Sequence, residues 1–187
     1  LTIFEAGCGN GHLLSCLSQN FPSAKLYGLE FTPELCQIAQ DRNLPSTILK
    51  NGDLCQENFF DEMKSCDIAI TERVIINILE RPDQYKAVEN IASKLKKGGL
   101  YIMVESFRMP LVRLNMAREE MSLPAIAVPV YNRYLSDTFV DKAIEKYGLK
   151  RLEGQRPAQY LSTHFYLTRV LNDVIRKQTG GRALNHF

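Results

Sequence analysis

The sequence is poor in the features that mark several large classes of protein. Its five cysteines are scattered, and no two of them have the C-x-x-C spacing of a zinc site or a redox motif. No disulfide framework and no metal site are therefore expected, and the composition favours a reducing, cytoplasmic compartment. No apolar run approaches the roughly 20 residues that a membrane-spanning helix needs. The formal net charge is only +2, so we expect no nucleic-acid partner.

The chain has the length of one domain, and we interpret residues 1–187 as a single unit. It begins at Leu1 and runs directly into a strand-like apolar segment, so we expect that an upstream segment is missing. Apolar residues make up 45% of the chain and charged residues 24%, which is the balance of a globular protein with a hydrophobic core.

Strand-like and helical patterns alternate in the first half of the sequence. Apolar runs that predict buried strands lie at residues 2–6, 24–29, 47–50, 67–71 and 100–105. Helices are predicted at 12–20, from Pro33 after the expected N-cap Thr32, and at 83–95 with Gly98-Gly99 as the C-cap signal. Strands that alternate with helices indicate βαβ crossovers and a mostly parallel sheet.

The second half is less regular. Residues 106–135 contain three prolines and indicate a lid-like insertion, with one helical pattern at 111–121. A helix is predicted at 137–147, where Gly148 is the expected C-cap, and residues 149–153 and 159–167 are predicted to form two closing strands. Together the patterns predict an α/β, Rossmann-like, doubly wound and mostly parallel sheet of seven strands, with the final strand antiparallel.

The strongest local signal is a glycine loop, E-A-G-C-G-N-G, that runs from Glu5 to Gly11 between the first strand and the first helix. Glycines at alternate positions allow the backbone to turn sharply and to approach a ligand, which binds at the carboxyl ends of the strands in such sheets. A dinucleotide fingerprint needs a third glycine where His12 stands. A phosphate-binding Walker loop needs a Lys-Ser/Thr pair that is absent here.

The spacing E-x-G-x-G-x-G resembles the first motif of class I S-adenosylmethionine-dependent methyltransferases. The resemblance continues through C-D-I-A-I-T-E-R at 66–73 and L-K-K-G-G-L-Y at 95–101, where Lys97 replaces the usual proline. It covers residues 1–105 and implies S-adenosylmethionine as the cofactor. It does not identify the methyl acceptor.

Acidic residues at successive strand ends fit this resemblance. Glu30 ends the second strand, where a carboxylate can accept hydrogen bonds from both ribose hydroxyls of the cofactor. In the family resembled, an acid placed like Asp53 binds the adenine amino group, and its neighbour packs on the ring. The predicted cofactor-binding residues are Glu5, Gly7, Cys8, Gly9, Asn10, Gly11, Glu30, Phe31, Gly52, Asp53, Leu54, Thr71 and Glu72.

The sequence offers no conspicuous catalytic motif. After the fourth strand it lacks the Asn/Asp-Pro-Pro-Tyr motif associated with methylation of nucleobase or amide nitrogens. This absence, the low net charge and the insertion predict O-methylation of a small molecule or glycan. Candidate catalytic residues are His164, Glu72, Arg73 and Tyr131, with Asn132 and Arg133 as further polar candidates. His164 is the preferred general base, because histidine can take a proton near neutral pH.

Two other functions stay open at this point. A NAD-dependent oxidoreductase would share the arrangement of strand, glycine loop and helix, although His12 disfavours it. A non-catalytic domain that retains the cofactor pocket would keep Glu30 and Asp53 but would methylate no acceptor.

Overall fold

The computed structural model describes residues 1–152 and 166–180, which form an α/β architecture. The strands are β1 (Thr2–Ala6), β2 (Lys25–Glu30), β3 (Thr47–Asn51), β4 (Cys66–Glu72) and β5 (Leu95–Val104). The helices are α1 (His12–Asn20), α2 (Pro33–Asp41), α3 (Arg81–Lys94), α4 (Arg108–Glu120), α5 (Asp137–Tyr147) and α6 (Asn172–Thr179). A 3-10 turn lies at Ile75–Asn77, and a π-helical turn at Leu167–Leu171 leads into α6.

The five strands form one parallel sheet in the order β3-β2-β1-β4-β5. The chain moves outward from β1 in one direction and then crosses back to add β4 on the other side of β1. This reversal creates a switch point beside β1, where ligands bind in sheets of this kind. The Rossmann-like fold predicted from the alternating pattern is confirmed.

The central strand β1 is buried on both faces, which explains its nearly continuous apolar pattern. On one face Phe4 packs edge-to-face against Phe60, with 5.9 Å between the ring centroids. On the other face Ile3 packs with Leu14 of α1 and Leu26 of β2. Because β1 is fixed by packing on both sides, the loop that follows it is held in place at the switch point.

Several element ends follow from capping residues. Pro33 starts α2 directly after Thr32. Ser136 precedes α5, and its hydroxyl accepts a hydrogen bond from the Phe139 N–H (3.1 Å). At the other end of α5, Gly148 has a φ of 67°, the left-handed conformation of a helix C-cap. These ends agree with the prediction.

The Gly98-Gly99 turn does not cap α3, and this part of the prediction is wrong. The helix ends at Lys94, because Leu95 is extended (φ −73°, ψ 134°) and pairs with Cys66 at the start of β5. Gly98, with a φ of 77°, lies inside β5 near the point where the register with β4 shifts. The glycines therefore accommodate an irregularity in a strand and do not end a helix.

The two closing strands predicted at 149–153 and 159–167 do not form in the described residues. Residues 149–152 have no regular structure and Leu152 is 60% exposed, so this segment lacks the burial that a strand of the sheet would have. Leu167 begins the π-helical turn. The remainder of both segments, residues 153–165, lies outside the described part of the chain. The described sheet therefore has five parallel strands where seven were predicted, the last of them antiparallel.

The region predicted as a lid-like insertion, residues 106–135, contains α4 and an irregular segment that returns to its starting point. Phe107 and Leu135 form an isolated bridge, so the two ends of the region lie side by side. Leu114 of α4 packs with Val170 of the π-helical turn. The region therefore forms a packed layer with the C-terminal helical segment.

Neither a membrane-spanning helix nor a metal cluster is found in residues 1–152 and 166–180. No helix there is long and apolar enough to cross a bilayer. No three His, Cys, Asp or Glu side chains of these residues are grouped closely enough to hold a metal ion. The five cysteines are free thiols.

Candidate active site

The glycine loop occupies the switch point at the end of β1. Its glycines all have positive φ: 74° at Gly7, 53° at Gly9 and 74° at Gly11. A Cβ at Gly7 would lie 2.3 Å from Cγ2 of Val74, so packing closes this position. A Cβ at Gly9 would meet no described atom within 4 Å, so the backbone faces open space there. Gly9 is therefore the point at which a ligand can approach the loop backbone.

Glu30 ends β2 and ties the glycine loop to the neighbouring strand end. One of its carboxylate oxygens accepts a hydrogen bond from the Gly9 N–H (2.8 Å), and the other accepts one from the Thr32 N–H (2.9 Å). Asn51, at the end of β3, donates its side-chain amide to the main-chain oxygens of Glu30 (2.8 Å) and Phe31 (3.0 Å). The ends of β1, β2 and β3 are thus joined into one cradle, the strand-end cradle.

Glu5 has an unsatisfied carboxyl oxygen at the base of the strand-end cradle. The residue is 4% exposed, and its Oε2 has no hydrogen-bond partner in the described part of the chain. Burial raises the pKa of Glu5 to about 8; the negative charges of Glu72 and Glu30 also raise it, and a backbone hydrogen bond from Leu14 lowers it. An unpaired buried polar atom costs about 1–3 kcal/mol, so Oε2 favours a ligand that donates a hydrogen bond or carries positive charge.

The other predicted residues at the ends of β2 and β3 differ in their burial and hydrogen bonding. Asp53 accepts hydrogen bonds from the Cys55 N–H (2.8 Å) and from the Gln56 side chain (3.3 Å), so its carboxylate stabilises the turn after β3. Gly52 donates its N–H to the Glu30 carbonyl (3.0 Å). Leu54 is buried in the core. The Phe31 side chain, in contrast, is 72% exposed at the rim of the cradle.

The other loop residues hold the loop against α1 and α2. Cys8 is buried, and burial raises the pKa of its thiol well above the usual value. The Asn10 side chain accepts a hydrogen bond from the His12 N–H (3.1 Å), and the Asn10 carbonyl accepts one from the Arg42 guanidinium (2.6 Å). These contacts fix the loop conformation independently of any ligand.

The carboxyl end of β4 lies next to the glycine loop. Thr71 is fully buried, and its hydroxyl is 3.1 Å from the Tyr101 hydroxyl, whereas Glu72 is exposed. Arg73 follows in the left-handed conformation (φ 56°), and its N–H donates to the Val104 carbonyl (2.8 Å). A residue other than glycine rarely adopts this conformation, and such strain is concentrated at functional sites.

Glu105, which the sequence analysis did not single out, organises the turn after β4. Its carboxylate accepts hydrogen bonds from the N–H groups of Val74 (3.0 Å), Ile75 (3.1 Å) and Ile76 (3.3 Å). Burial raises the pKa of Glu105, and these hydrogen bonds lower it. Its signal in the sequence is an acid directly after the fifth strand, the same signal that identified the acids of the second and third strand ends.

A cavity of about 440 Å³ opens beyond the end of β4; we call it the lateral cavity. It lies between the loops after β4 and β5, helix α4 and the C-terminal helical segment. Its polar lining comes from Arg73, Ser106, Asn132, Tyr134, Arg169 and Asp173, and its apolar lining from Ile76, Leu111, Leu114, Ile126, Ala127 and Pro129.

The predicted catalytic candidates are only partly gathered at the lateral cavity. Arg73 lines it. Glu72 precedes Arg73 and lies close enough to Glu5 to raise the pKa of that carboxyl. Tyr131 is 65% exposed and is not among the residues that line the cavity. His164 lies outside the described residues.

The neighbours of Tyr131 anchor the irregular segment to the turn after β4. Asn132 donates its side-chain amide to Oδ1 of Asn77 (2.6 Å). Arg133 donates its N–H to the Ile76 carbonyl (2.7 Å) and its guanidinium to the Leu79 carbonyl (2.8 Å). These hydrogen bonds, one to a side chain and two to main-chain carbonyls, hold the segment against the turn after β4, where Asn132 lines the lateral cavity.

A parallel sheet with a glycine loop at its switch point and carboxylates at successive strand ends is typical of α/β domains that bind nucleoside-containing ligands. Residues 3–99 match the protein family described as "Methyltransferase domain". The match spans more than half of the chain, and the chain belongs to that family. The resemblance to class I S-adenosylmethionine-dependent methyltransferases is thereby confirmed.

Individual relatives are more distant. The chain is 27% identical over 107 residues to a tRNA N(3)-methylcytidine methyltransferase from Schizosaccharomyces pombe; the match covers 53% of this chain and 42% of that protein. The chain thus spans less than half the length of this curated relative.

Solved structures share the fold at low identity. The YcgJ protein from Bacillus subtilis superposes with a TM-score of 0.61 and 18% identity, covering 82% of this chain and 64% of that one. A chain from the complex between the Haloferax volcanii Trm112 methyltransferase activator and a methyltransferase gives 0.58 and 20% identity, covering 84% and 68%. At these identities the likeness concerns the fold alone.

The relative that methylates tRNA corrects one expectation. The low net charge of +2 led us to exclude nucleic acid as a partner and to expect a small-molecule or glycan acceptor. That exclusion is wrong, because a tRNA-modifying enzyme shares the matched half of this chain. Net charge averages over the whole surface, whereas acceptor recognition depends on the local charge around one site.

Proposed function

We propose that this domain binds S-adenosylmethionine in the strand-end cradle and transfers its methyl group to an acceptor in the lateral cavity. The observation that carries the proposal is the unpaired, buried Oε2 of Glu5, next to the open backbone at Gly9. The unpaired carboxyl oxygen favours a ligand that donates a hydrogen bond or carries positive charge, and the open backbone at Gly9 lets that ligand lie against the loop.

The charge of the cradle distinguishes this cofactor from a dinucleotide. Glu5, Glu30 and Glu72 are close enough together for the last two to raise the pKa of the first. S-adenosylmethionine carries a sulfonium and an ammonium group; the carboxylates of Glu30 and Glu72 attract these cations, and the cations favour ionisation of Glu5 as well. The pyrophosphate of a dinucleotide would add negative charge to the same place, and His12 stands where its third glycine is needed. The balance of charge therefore favours the sulfonium cofactor.

The residues fit the parts of the cofactor as follows. Glu5 would receive the cationic methionine end, and Glu30 would accept the ribose hydroxyls while it retains its bonds to the loop. Asp53 would accept the adenine amino group, beside the exposed Phe31 ring at the rim. The other loop and strand-end residues in the proposed set are Gly7, Cys8, Gly9, Asn10, Gly11, Gly52, Leu54, Thr71 and Glu72.

The chemistry asks little of the protein beyond alignment. The bound cofactor supplies a methyl group that is already activated by its positive sulfur. Glu105 holds the turn after β4 through three N–H groups and so fixes the boundary between the two binding regions. Glu72 and Arg73 follow each other at this boundary, with Glu72 acting on the pKa of Glu5 and Arg73 lining the lateral cavity, and His164 stays a prediction as general base. Holding donor and acceptor in line is itself a large contribution to rate.

A tRNA acceptor is a second, more specific candidate. It is supported by the relative from Schizosaccharomyces pombe, whose name gives cytidine in tRNA as the methylated group. The match covers 53% of this chain and 42% of that relative. The acceptor-binding region therefore needs a test of its own.

A methyl-transfer assay tests the proposal. Tritium-labelled S-adenosylmethionine is incubated with the protein and with unmodified tRNA, and the label in the acceptor is counted. Glu30→Ala should abolish transfer, whereas Glu145→Gln, which removes an exposed charge from α5 outside both binding regions, should leave it unchanged. Binding of S-adenosylmethionine without label in tRNA would overturn the tRNA candidate.

A further inference from the structure

The lining of the lateral cavity has an excess of positive charge among the described residues. Arg73 and Arg169 line it, and neither forms an ion pair with any described residue. The lining contains one carboxylate, that of Asp173, which is already engaged: its oxygens lie 2.7 Å from Arg118 and 3.9 Å from Arg176. The two unpaired arginines are therefore not neutralised from within the cavity.

The nearby carboxylates do not compensate for this charge either. Glu105 is occupied by three backbone N–H groups. The negative charge of Glu72 raises the pKa of Glu5, so this carboxylate lies near the strand-end cradle. Further arginines add to the excess near the turn after β4. Burial lowers the pKa of Arg81, and the positive charges of Arg133 and Arg108 lower it as well, so these three guanidinium groups lie close together.

Arg73 is also held in place. Its N–H donates to the Val104 carbonyl (2.8 Å), and its carbonyl accepts a hydrogen bond from the Asn77 side chain (2.8 Å). The backbone is fixed in the left-handed conformation between these bonds (φ 56°), a strain that packing alone does not require of an arginine. The residue is thereby presented at the end of β4, between cradle and cavity.

The apolar part of the lining increases the effect of these charges. Ile76, Leu111 and Leu114 form part of the wall, and Leu114 is fully buried. Arg73 and Arg169 are themselves exposed, so the apolar wall reduces the screening of their charges only on the side that faces it. Arginine binds phosphate through two parallel N–H···O bonds, which fixes orientation as well as affinity.

We infer that the methyl acceptor carries a phosphate group, and that Arg73 and Arg169 bind this phosphate in the lateral cavity. The inference rests on the proposed function, since it identifies the cavity as the acceptor site. The two arginines act in specificity and positioning: they select a phosphorylated acceptor and hold it towards the end of β4. The phosphate belongs either to a nucleotide unit of a nucleic acid or to a free phosphorylated compound.

Paired ligands that differ only by a phosphate test the inference. Binding to the whole protein, saturated with S-adenosylhomocysteine, is measured by calorimetry for cytidine 5′-monophosphate against cytidine and for glucose 1-phosphate against glucose. At least one phosphorylated ligand should bind about tenfold or more tightly than its neutral partner. Equal affinity within both pairs, or binding of neither member, overturns the inference.

Variants identify the groups responsible. Arg73→Gln and Arg169→Gln should each weaken the phosphorylated ligand by about tenfold and leave the neutral partner unchanged. Lys97→Gln, which removes one positive charge from an exposed residue at the far end of β5, is the matched control and should change neither. If the arginine variants weaken both members equally, or if Lys97→Gln acts as they do, the phosphate does not bind where we infer.

Two further comparisons identify the source of the phosphate and distinguish a failure of this inference from a failure of the proposed function. Tighter binding of cytidine 5′-monophosphate and of a tRNA transcript identifies a nucleic acid; tighter binding of glucose 1-phosphate identifies a free phosphorylated compound. S-adenosylhomocysteine is titrated into every variant. If it binds and no phosphate preference exists, only the present inference fails. If the phosphate preference exists and S-adenosylhomocysteine does not bind, the proposed function fails.

Discussion

Glu5→Gln should remove a pH dependence that the wild-type protein shows in its stability. In the folded protein the pKa of Glu5 is raised from 4.5 to about 8. Between these values the folded state keeps a proton that the unfolded chain has lost. Stability is therefore full below pH 4.5 and falls as the pH rises towards 8.

The size of this effect follows from the shift. The full shift corresponds to about 5 kcal/mol, because each pKa unit is worth about 1.4 kcal/mol and Glu5 is almost wholly buried. Of this, about 4 kcal/mol is reached at pH 8, where Glu5 is half ionised in the folded state. Glutamine has no proton to lose. The variant should therefore match the wild type near pH 4.5 and exceed it by up to about 4 kcal/mol near pH 8. Urea denaturation at a series of pH values measures the difference, and Glu34→Gln, an exposed residue of α2, is the control.

The same group should couple cofactor binding to proton release. A cationic ligand favours the ionised form of Glu5, so binding of S-adenosylmethionine near pH 7 should expel close to one proton. Calorimetry in two buffers with different ionisation enthalpies counts that proton. Glu5→Gln should release none and bind about tenfold more weakly. Proton release that is the same in both proteins, or a stability difference that does not vary with pH, would refute this reasoning.

Four further substitutions probe the site. Gly7→Ala should destabilise the fold by about 2 kcal/mol or more, since its Cβ would lie 2.3 Å from Val74. Gly9→Ala should cost about 1 kcal/mol in thermal unfolding, from the positive φ alone, but should bind S-adenosylhomocysteine poorly. Glu105→Ala leaves three backbone N–H groups unpaired and should cost about 3 kcal/mol in urea denaturation; an unchanged midpoint would contradict its role. Asp53→Asn should keep the turn after β3 and its stability but weaken S-adenosylhomocysteine in calorimetry, and equal affinity would remove the adenine role.

The first half of the fold was predictable because its signals are local. Alternating apolar runs and helical patterns reflect burial on both sides of a parallel sheet, as at β1. Pro33 and Gly148 mark helix ends through backbone conformations that few other residues adopt as easily. The prediction that Gly98-Gly99 caps α3 was wrong because a glycine in the left-handed conformation is found at strand irregularities as well as at helix C-caps.

The site was only partly predictable. The glycine loop and Glu30 have fixed spacings along the chain, and the structure brings both to the switch point. Glu105 was missed because its partners, at Val74 to Ile76, are distant in sequence and are backbone groups that carry no residue signal. The lateral cavity depends on the packing of α4 against the C-terminal helical segment, a long-range arrangement without a periodic pattern.

Calorimetric titration with S-adenosylhomocysteine, with NADH as the alternative ligand, tests the central claim most directly. We predict micromolar binding of S-adenosylhomocysteine to a single site, lost in Glu30→Ala, and no binding of NADH. Binding of NADH in place of S-adenosylhomocysteine, or binding of neither, would contradict the assignment of the strand-end cradle to the sulfonium cofactor.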